Sequence, residues 1–334
     1  MKNSVRRPAI ALVLAAVALV ASAQPGVAKA PKPPAGGLAT TYTYQLPNRV
    51  TSRFHAPLVT EAPDGVIYFA HVDTVYRVED QSTRVVQQVR DRVYALAASS
   101  TLLVVETPTD VYAYSRYTGK RVADWNVEQT GAYPPVLRAV GDIVWSLTDQ
   151  SISPASLEPA TLELLRVGHQ PRIITDQATP TAPVVDGSGN VFLVRFGGRI
   201  ERVTPSGATQ TSADKTYAAA TLAYLDGILI AEIDSAHTVV DEVDPTSLSV
   251  ISSHGGTAGD YYGLAAASIG GLSLSADCGG SQYCSKTDVR RITPPDTRGP
   301  GLSVPYGAAV LGPQATVLEV PAGAMPQLVG LRLA

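Results

Sequence analysis

A short apolar run that favours β-structure, opened by turn residues, recurs seven times in this chain of 334 residues. Successive runs begin roughly 36 to 48 positions apart, which is the period of architectures that stack one supersecondary unit per repeat. The seven runs are Gly65–Phe69, Thr101–Val105, Asp142–Trp145, Asn190–Leu193, Gly227–Ile230, Gly271–Leu274 and Ala315–Leu318. The repeat excludes most folds that are not built from stacked units, because each unit has to pack against its neighbours.

A second strand, rich in small residues, precedes most of these runs. The clearest examples are Val93–Ala97, Ala218–Leu222, Gly263–Ala267 and Gly307–Val310. Alanine and glycine fit where strands crowd around a common axis, as the inner strands of a β-propeller do. Each pair of strands is therefore predicted to be the inner half of a propeller blade.

A recurring turn follows, and it predicts a third and a fourth strand in each unit. Proline presets the backbone of such a turn and prevents the preceding strand from continuing. The predicted turn segments are Tyr112–Lys120, Leu157–Leu162, Ile200–Ala208, Val240–Leu248 and Val289–Pro294. The stretch Ala160–Arg166 has a helical alternative, but its place in the repeat favours a strand.

The two ends of the repeat suggest how the ring closes. The last unit reaches Leu333 after only three strands, whereas Tyr42–Leu46 alternates like a strand and has no unit of its own. Pairing them would protect the edges that otherwise invite aggregation. The predicted fold is therefore all-β: a seven-bladed β-propeller of four-stranded antiparallel blades, closed by the N-terminal strand. A ring of six or eight blades is the alternative.

The N-terminal residues predict export. Lys2, Arg6 and Arg7 precede the apolar run Ala9–Val20, and small residues follow it before Gln24. We therefore predict a signal peptide at 1–23, a linker rich in proline, alanine and glycine at 24–39, a propeller domain at 40–334, and a secreted, periplasmic or cell-envelope location. A membrane span in the mature chain is not expected.

Charge and cysteine content narrow the function classes further. The formal net charge is −3, and loss of the basic signal peptide makes the mature chain more acidic, so nucleic acid is not an expected partner. Cys278 and Cys284 are the only cysteines, and in an exported chain such a close pair predicts a disulfide. A monomer is expected.

One unit carries a family resemblance. The stretch from Val185 to Phe192, followed by Gly197 to Gly207, resembles a blade of the secreted bacterial propellers that include streptogramin lyases, NHL-repeat, YVTN-type and quinoprotein-like proteins. The other units share only the spacing of strands and turns. The resemblance implies the fold more than an activity, because such folds host many functions.

In a propeller, the loops between the second and third strands and the links between blades lie at one end, around the central channel. We call this end the channel face; ligands usually bind there. Its predicted ligand-binding residues are Arg53, His55, Arg92, Tyr133, Tyr217, Tyr262 and Tyr306. Tyrosine offers a large contact area with a polar tip, as sugars or extended peptides require. The alternative is that these tyrosines pack between neighbouring blades.

His71 with Asp73, and Asp234 with His237, are candidate catalytic pairs on the same rim. A streptogramin-lyase-like enzyme would hold a divalent cation such as Mg²⁺ there; Ca²⁺ is the other candidate. Ordinary solvated loop residues are the alternative. The turn Asp186–Asn190 superficially resembles a calcium loop, but Gly197 occupies the position of the last EF-hand ligand, so a hairpin turn is expected.

Two hypotheses follow. The first is an exported, non-catalytic binding or scaffold propeller that recognises a protein or glycan at its channel face. The alternative is a metal-assisted lyase or lactonase that resembles streptogramin lyase or gluconolactonase and uses the four candidate catalytic residues. The first is favoured, because the ionisable residues form no recognisable constellation.

Overall fold

The computed structural model describes residues 38–46, 58–79, 82–127, 135–148, 158–179, 182–213, 216–217, 220–225, 227–233, 239–255, 261–267, 270–277, 286–292, 301–305, 309–310, 316–319 and 327–333. Throughout these residues the regular structure is strand, without a helix long and apolar enough to span a membrane. The predicted signal peptide, the two cysteines of the predicted disulfide and most of the predicted linker lie outside them.

The strands form four-stranded antiparallel sheets, numbered here by chain order. Sheet 1 holds β2 (Leu58–Glu61), β3 (Ile67–His71), β4 (Thr74–Glu79) and β5 (Ser82–Gln88). Sheet 2 holds β6 (Ala95–Ala98), β7 (Leu102–Glu106), β8 (Asp110–Ser115) and β9 (Arg121–Asn126). Sheet 3 holds β10 (Val136–Val140), β11 (Ile143–Thr148), β12 (Ala160–Arg166) and β13 (Arg172–Ala178).

The next three sheets repeat the pattern. Sheet 4 holds β14 (Val184–Val185), β15 (Val191–Val194), β16 (Ile200–Val203) and β17 (Thr209–Thr211). Sheet 5 holds β18 (Ala220–Leu225), β19 (Ile228–Ile233), β20 (Val239–Val243) and β21 (Val250–Gly255). Sheet 6 holds β22 (Tyr261–Ala267), β23 (Gly270–Asp277), β24 (Lys286–Ile292) and β25 (Gly301–Pro305).

Sheet 7 combines the two ends of the chain. It holds β26 (Ala309–Val310), β27 (Thr316–Glu319), β28 (Gln327–Leu333) and β1 (Leu38–Gln45). Strand β1 pairs antiparallel with β28, with Leu38 opposite Leu333 and Gln45 opposite Gln327. Strand β1 begins at Leu38, two residues before the predicted start of the domain.

The seven recurring runs are confirmed as strands, and each is the second strand of its sheet. Their apolar character has a direct cause in β7, where Leu102 and Val104 pack towards sheet 3 while Leu103 and Val105 pack towards sheet 1. A strand buried on both faces cannot alternate with polar residues.

Apolar clusters join successive sheets. Sheets 1 and 2, 2 and 3, 3 and 4, and 4 and 5 each share one, and Leu46 and Leu328 of sheet 7 pack with Ile67 and Phe69 of sheet 1. The first strands of successive sheets also contact one another from sheet 1 to sheet 7. The first strands are therefore the inner strands and the fourth strands the outer ones.

One predicted turn was wrong. Ala160–Arg166 is a strand, as expected, but it is the third strand of sheet 3, so Pro159 precedes this strand instead of following it. The turn between the third and fourth strands is formed by residues 167–171, with Gly168 at a φ of +80°. The Glu-Pro pair resembled the other turns because proline also suits the start of a strand.

Side chains of one sheet donate hydrogen bonds to carbonyls of the next sheet, in turns at the end opposite the channel face. Trp125 Nε1 donates to His169 O at 3.1 Å, and Trp145 Nε1 donates to Gly189 O at 3.0 Å. Three further bonds follow the same pattern: Gln87 Nε2 to Gly119 O at 2.6 Å, Arg172 Nη2 to Pro205 O at 3.1 Å, and Arg202 Nη1 to Pro245 O at 3.0 Å. We call these bonds the inter-sheet latches; they join neighbouring sheets where strand hydrogen bonds cannot.

The outer strands carry β-bulges. Strands β1, β5, β9 and β21 each contain one extra residue relative to the strand that they pair with, and β13 contains two. A bulge twists an exposed edge away from regular pairing and so reduces pairing with other chains.

Candidate functional site

Backbone hydrogen bonds assemble the channel face where the structure describes it. Val93 N donates to Val72 O in the second-to-third-strand loop of sheet 1, at 2.7 Å. Tyr94 N donates to the carbonyl of Glu106, the last residue of β7 before the corresponding loop of sheet 2, also at 2.7 Å. In sheet 4, Phe196 N donates to Gln177 O at 2.6 Å, which joins the loop 195–199 to the outer strand of sheet 3. Loops and links therefore share one end, as predicted.

The turn Val72–Asp73 has an unusual backbone. It is the two-residue connection between β3 and β4, and Val72 has a φ of +57°. A β-branched residue in this left-handed region is strained by about 1 to 2 kcal/mol. The carbonyls of Val72 and Asp73 accept hydrogen bonds from Val93 and Val89, at 2.7 and 2.9 Å, which hold the turn in place.

Three large apolar residues are exposed at this face: Val72 at 56%, Tyr94 at 36% and Phe196 at 47%. We call them the apolar triad. Elsewhere in the described chain, Val85, Val122, Ile173 and Ile251 are exposed singly on different outer strands, and Tyr117 lies in a turn at the opposite end. Single exposed apolar residues are ordinary on protein surfaces, and the triad differs from the others in that its members share the end where loops and links meet.

The loop that presents Phe196 is tightly fixed. Gly198 has a φ of +87°, and a Cβ there would collide with the carbonyl oxygen of Tyr217, so only glycine fits. Gly198 N donates to Arg195 O at 2.8 Å, and Tyr217 N donates to Gly198 O at 2.6 Å.

Beneath this loop lies a buried carboxylate. Glu201 is 3% exposed, and Arg195 Nη1 lies 3.8 Å from its Oε1. Its Oε2 accepts no hydrogen bond from the described residues. Burial raises the pKa of Glu201, and the charge of Arg195 only partly offsets that effect. Burial likewise raises the pKa of Glu163 in β12.

One predicted catalytic pair is described. His71 ends β3 and pairs with Thr74, and Asp73 lies in the turn between them. Asp73 accepts hydrogen bonds from Thr74 Oγ1 at 2.9 Å and Gln88 Nε2 at 3.5 Å. These two bonds, the first above all, lower the pKa of Asp73, so it is a weak proton acceptor at neutral pH.

The second pair, Asp234 and His237, lies outside the described residues, so convergence of the four side chains remains a prediction. Within the described part of the chain, His, Cys, Asp and Glu residues form no group of three or more that could hold a metal ion. A Mg²⁺ or Ca²⁺ site stays a prediction as well.

The predicted ligand-binding residues are only partly described. Arg92 is exposed on the channel face. Tyr262 lies in β22, but its side chain is not described. Four further residues lie entirely outside the described residues: Arg53, His55, Tyr133 and Tyr306. The hairpin turn expected at Asp186–Asn190 is confirmed: Asp186 Oδ1 accepts hydrogen bonds from the backbone of Ser188 and Asn190, at 2.9 and 2.8 Å.

Tyr217 occupies the packing position that was the alternative for the tyrosines. It is 1% exposed, within the apolar cluster between sheets 4 and 5. Its hydroxyl donates to Oδ2 of the fully buried Asp241 at 3.1 Å, and Ser253 Oγ donates to Oδ1 at 2.6 Å. Burial first, and then Asp241, raise the pKa of Tyr217, so the phenol stays protonated as a donor.

The apolar triad was not among the predicted site residues. Tyr94 was assigned to the inner strand, but β6 begins at Ala95, which leaves Tyr94 in the link. The sequence could have indicated Val72, because a two-residue hairpin turn needs a positive φ, which valine disfavours. Nothing in the sequence distinguishes Phe196 from a buried aromatic residue.

Comparison with known proteins supports the fold. No family model matches the chain, and no curated protein matches it. Among solved structures, the β-propeller domain of Cps50 (Swd1) from Myceliophteria thermophila has a TM-score of 0.60 at 11% identity, covering 89% of this chain and 100% of that one. A chain of the Mitotic Checkpoint Complex has a TM-score of 0.59 at 10% identity, covering 93% of this chain and all of that one. The likeness shows an all-β propeller fold built from four-stranded antiparallel sheets.

Proposed function

We propose that this chain is an exported, non-catalytic propeller of seven blades, closed by β1, that binds a protein partner at its channel face. The apolar triad carries the proposal. Three exposed apolar side chains stand at the end of the propeller where ligands bind, and one of them is held in a strained conformation. Strain of this kind persists where surrounding structure enforces it, often at binding sites.

The chemistry of the triad favours a protein over a glycan. Val72 is aliphatic and has no polar tip, so its exposed surface is best buried against another apolar side chain. Aromatic anchors such as Tyr94 and Phe196 are enriched in protein interfaces. The lyase or lactonase alternative gains no support from Asp73, because its hydrogen bonds favour the ionised, weakly basic form.

The proposal is tested by comparing two exposed valines. Val72 and Val85 are both 56% exposed, but Val85 lies on the outer strand β5, away from the channel face. Wild type, Val72→Asn and Val85→Asn are immobilised and incubated with envelope and medium proteins of the source cells. A protein retained by wild type and Val85→Asn should be lost from Val72→Asn.

Asparagine tolerates the left-handed backbone, so Val72→Asn should fold at least as well as wild type. Loss of a partner by Val72→Asn would then be due to the changed side chain and not to misfolding. Equal retention by all three proteins, or retention only of a polysaccharide, would contradict the proposed function.

Export has its own test. We expect the chain in the medium or envelope fraction with Gln24 as its N-terminal residue. An intact N-terminus in the cytoplasmic fraction would refute this part of the proposal.

A further inference from the structure

The inner strands of the sheets surround the central channel of the propeller, and their described residues are almost all uncharged. Strands β6, β14, β18, β22 and β26 contain only small, aliphatic, hydroxyl-bearing or aromatic residues. Among the described inner strands, β2 and β10 alone hold a charged residue, Glu61 and Arg138 respectively. Arg138 is therefore the single cation on the described inner strands.

The side chain of Arg138 extends from the middle of β10 towards sheet 4. Val136, two residues earlier and hence on the same side of the strand, packs in the apolar cluster between sheets 3 and 4. Arg138 Nε donates to the carbonyl of Pro183, directly before β14, at 2.9 Å, and Nη1 donates to Leu137 O at 3.0 Å. The guanidinium group therefore lies between the inner strands of two neighbouring sheets.

Neither of these carbonyl acceptors carries a negative charge. No carboxylate of the described residues forms an ion pair with Arg138, and burial lowers the pKa of its guanidinium group with no acid among them to offset the effect. Arg116, by contrast, is 5% exposed and forms an ion pair with Asp64 at 2.7 Å. Because a guanidinium group does not deprotonate in proteins, Arg138 keeps its charge, and an enclosed charge without a counter-ion is unfavourable.

The other charged residue of the described inner strands does not supply the counter-ion. Glu61 ends β2, and Val59, two residues earlier, packs in the cluster formed with sheet 7. Residues two apart share one side of a strand, so Glu61 faces sheet 7, whereas Arg138 faces sheet 4. A negative charge for Arg138 is therefore expected from a bound molecule.

We propose that Arg138 holds a small organic anion in the central channel, with a carboxylate or phosphate group on the guanidinium and an apolar part against the valines around it. The half-buried side chains nearest in position are aliphatic: Val136 and Val140 in β10, and Val184 next to Pro183. Hydrogen bonds from arginine to such anions are charge-assisted, and Nη2 of Arg138 has no acceptor among the described residues. The site goes beyond the proposed function, because no member of the apolar triad takes part in it.

Isothermal titration calorimetry of the purified chain tests the site. The probes are hexanoate, hexyl phosphate, acetate and hexylamine, all at one pH and one ionic strength. Hexanoate or hexyl phosphate should bind at a single site, and the one that binds more tightly identifies the head group. Acetate should bind about tenfold or more weakly than hexanoate, because it lacks the apolar chain, and hexylamine should not bind.

Two substitutions by glutamine locate the binding. Arg138→Gln removes the charge and should weaken binding of the preferred probe by about tenfold or more. Arg172→Gln is the matched control: Arg172 also donates to two backbone carbonyls, those of Pro205 and Ser206, but it is exposed on the outer strand β13. The control variant should bind like wild type. Arg138→Lys keeps the charge without the bidentate geometry and should have an intermediate affinity.

The inference would be overturned if wild type bound neither anion, if hexylamine bound as tightly as hexanoate, or if Arg138→Gln bound like wild type. An equal loss of affinity in Arg172→Gln would overturn it as well. Should Arg138→Gln fail to fold, Arg138→Lys decides, and an affinity equal to that of wild type then counts against the site. Because the site shares no residue with the apolar triad, the results for Val72→Asn test the proposed function separately.

Discussion

Replacing each buried tryptophan by phenylalanine tests whether the inter-sheet latches stabilise the fold. Trp145 is fully buried, and its Nε1 donates to the carbonyl of the buried Gly189 at 3.0 Å. Trp125 is 5% exposed and makes an equivalent bond of 3.1 Å, but its acceptor, His169, is exposed. The same substitution therefore removes the same donor from two acceptors that differ in their access to water.

The expected costs differ for this reason. Loss of indole surface costs about 1 kcal/mol in both variants. In Trp145→Phe the Gly189 carbonyl is left buried and unpaired, which adds about 1 to 3 kcal/mol, whereas water replaces the lost donor at His169 in Trp125→Phe. The free energy of unfolding should thus fall by about 2 to 4 kcal/mol for Trp145→Phe and by about 1 kcal/mol for Trp125→Phe.

Thermal unfolding provides the assay. An unfolding entropy of about 2.1 cal/mol/K per residue over roughly 300 residues gives about 0.6 kcal/mol/K. The Tm of Trp145→Phe should fall by about 3 to 6 °C and that of Trp125→Phe by about 2 °C, both at one scan rate. Equal shifts in the two variants, or a shift below about 1 °C for Trp145→Phe, would refute the reasoning from acceptor burial.

Further predictions concern buried polar groups. Glu201 has a raised pKa in the folded state, so its contribution to stability is fully present below the unfolded pKa and is lost as pH rises through the folded pKa. Glu201→Gln should therefore have a higher Tm than wild type at pH 7, with a gap that closes towards pH 4; a constant gap, or a less stable variant, would contradict this. Tyr217→Phe removes a donor to the buried Asp241 and should lower the free energy of unfolding by about 1.5 to 3 kcal/mol. Pulse proteolysis measures this change. An unchanged stability would argue against the Tyr217–Asp241 hydrogen bond. The side chain of Arg116 is 5% exposed, donates two hydrogen bonds to Asp64 at 2.7 and 2.8 Å, and donates one to Ser99 O. Lysine cannot make all of these bonds, so the Tm of Arg116→Lys should fall. A Tm equal to that of wild type would show that the bonds contribute nothing.

The sequence predicted the elements whose pattern follows from burial. A run such as Leu102–Val105 packs against two sheets at once, and that requirement makes it apolar at every position. The pairing of β1 with β28 was predictable because the last unit lacks a strand and the first strand lacks a unit. Pro159 misled the prediction because proline serves a turn and a strand start equally well.

The apolar triad was harder to predict. Whether an aromatic residue such as Phe196 is buried or exposed depends on how its loop folds across Tyr217 and Gln177, which are distant in sequence or belong to another sheet. Arg92 was recognised because charged residues are exposed almost everywhere. Conversely, Tyr217 lies at a link between sheets, and only the packing of sheets 4 and 5 shows that its ring is buried.

The most direct test of partner binding at the channel face is photo-crosslinking from two tyrosine positions. Tyr94→benzoylphenylalanine places the probe on the channel face, and Tyr117→benzoylphenylalanine places it at the opposite end, where Tyr117 is 81% exposed. Irradiation in the source cells should yield a crosslinked protein from position 94 and none from position 117. A crosslink from position 117 alone, or the same products from both positions, would contradict binding through the channel face.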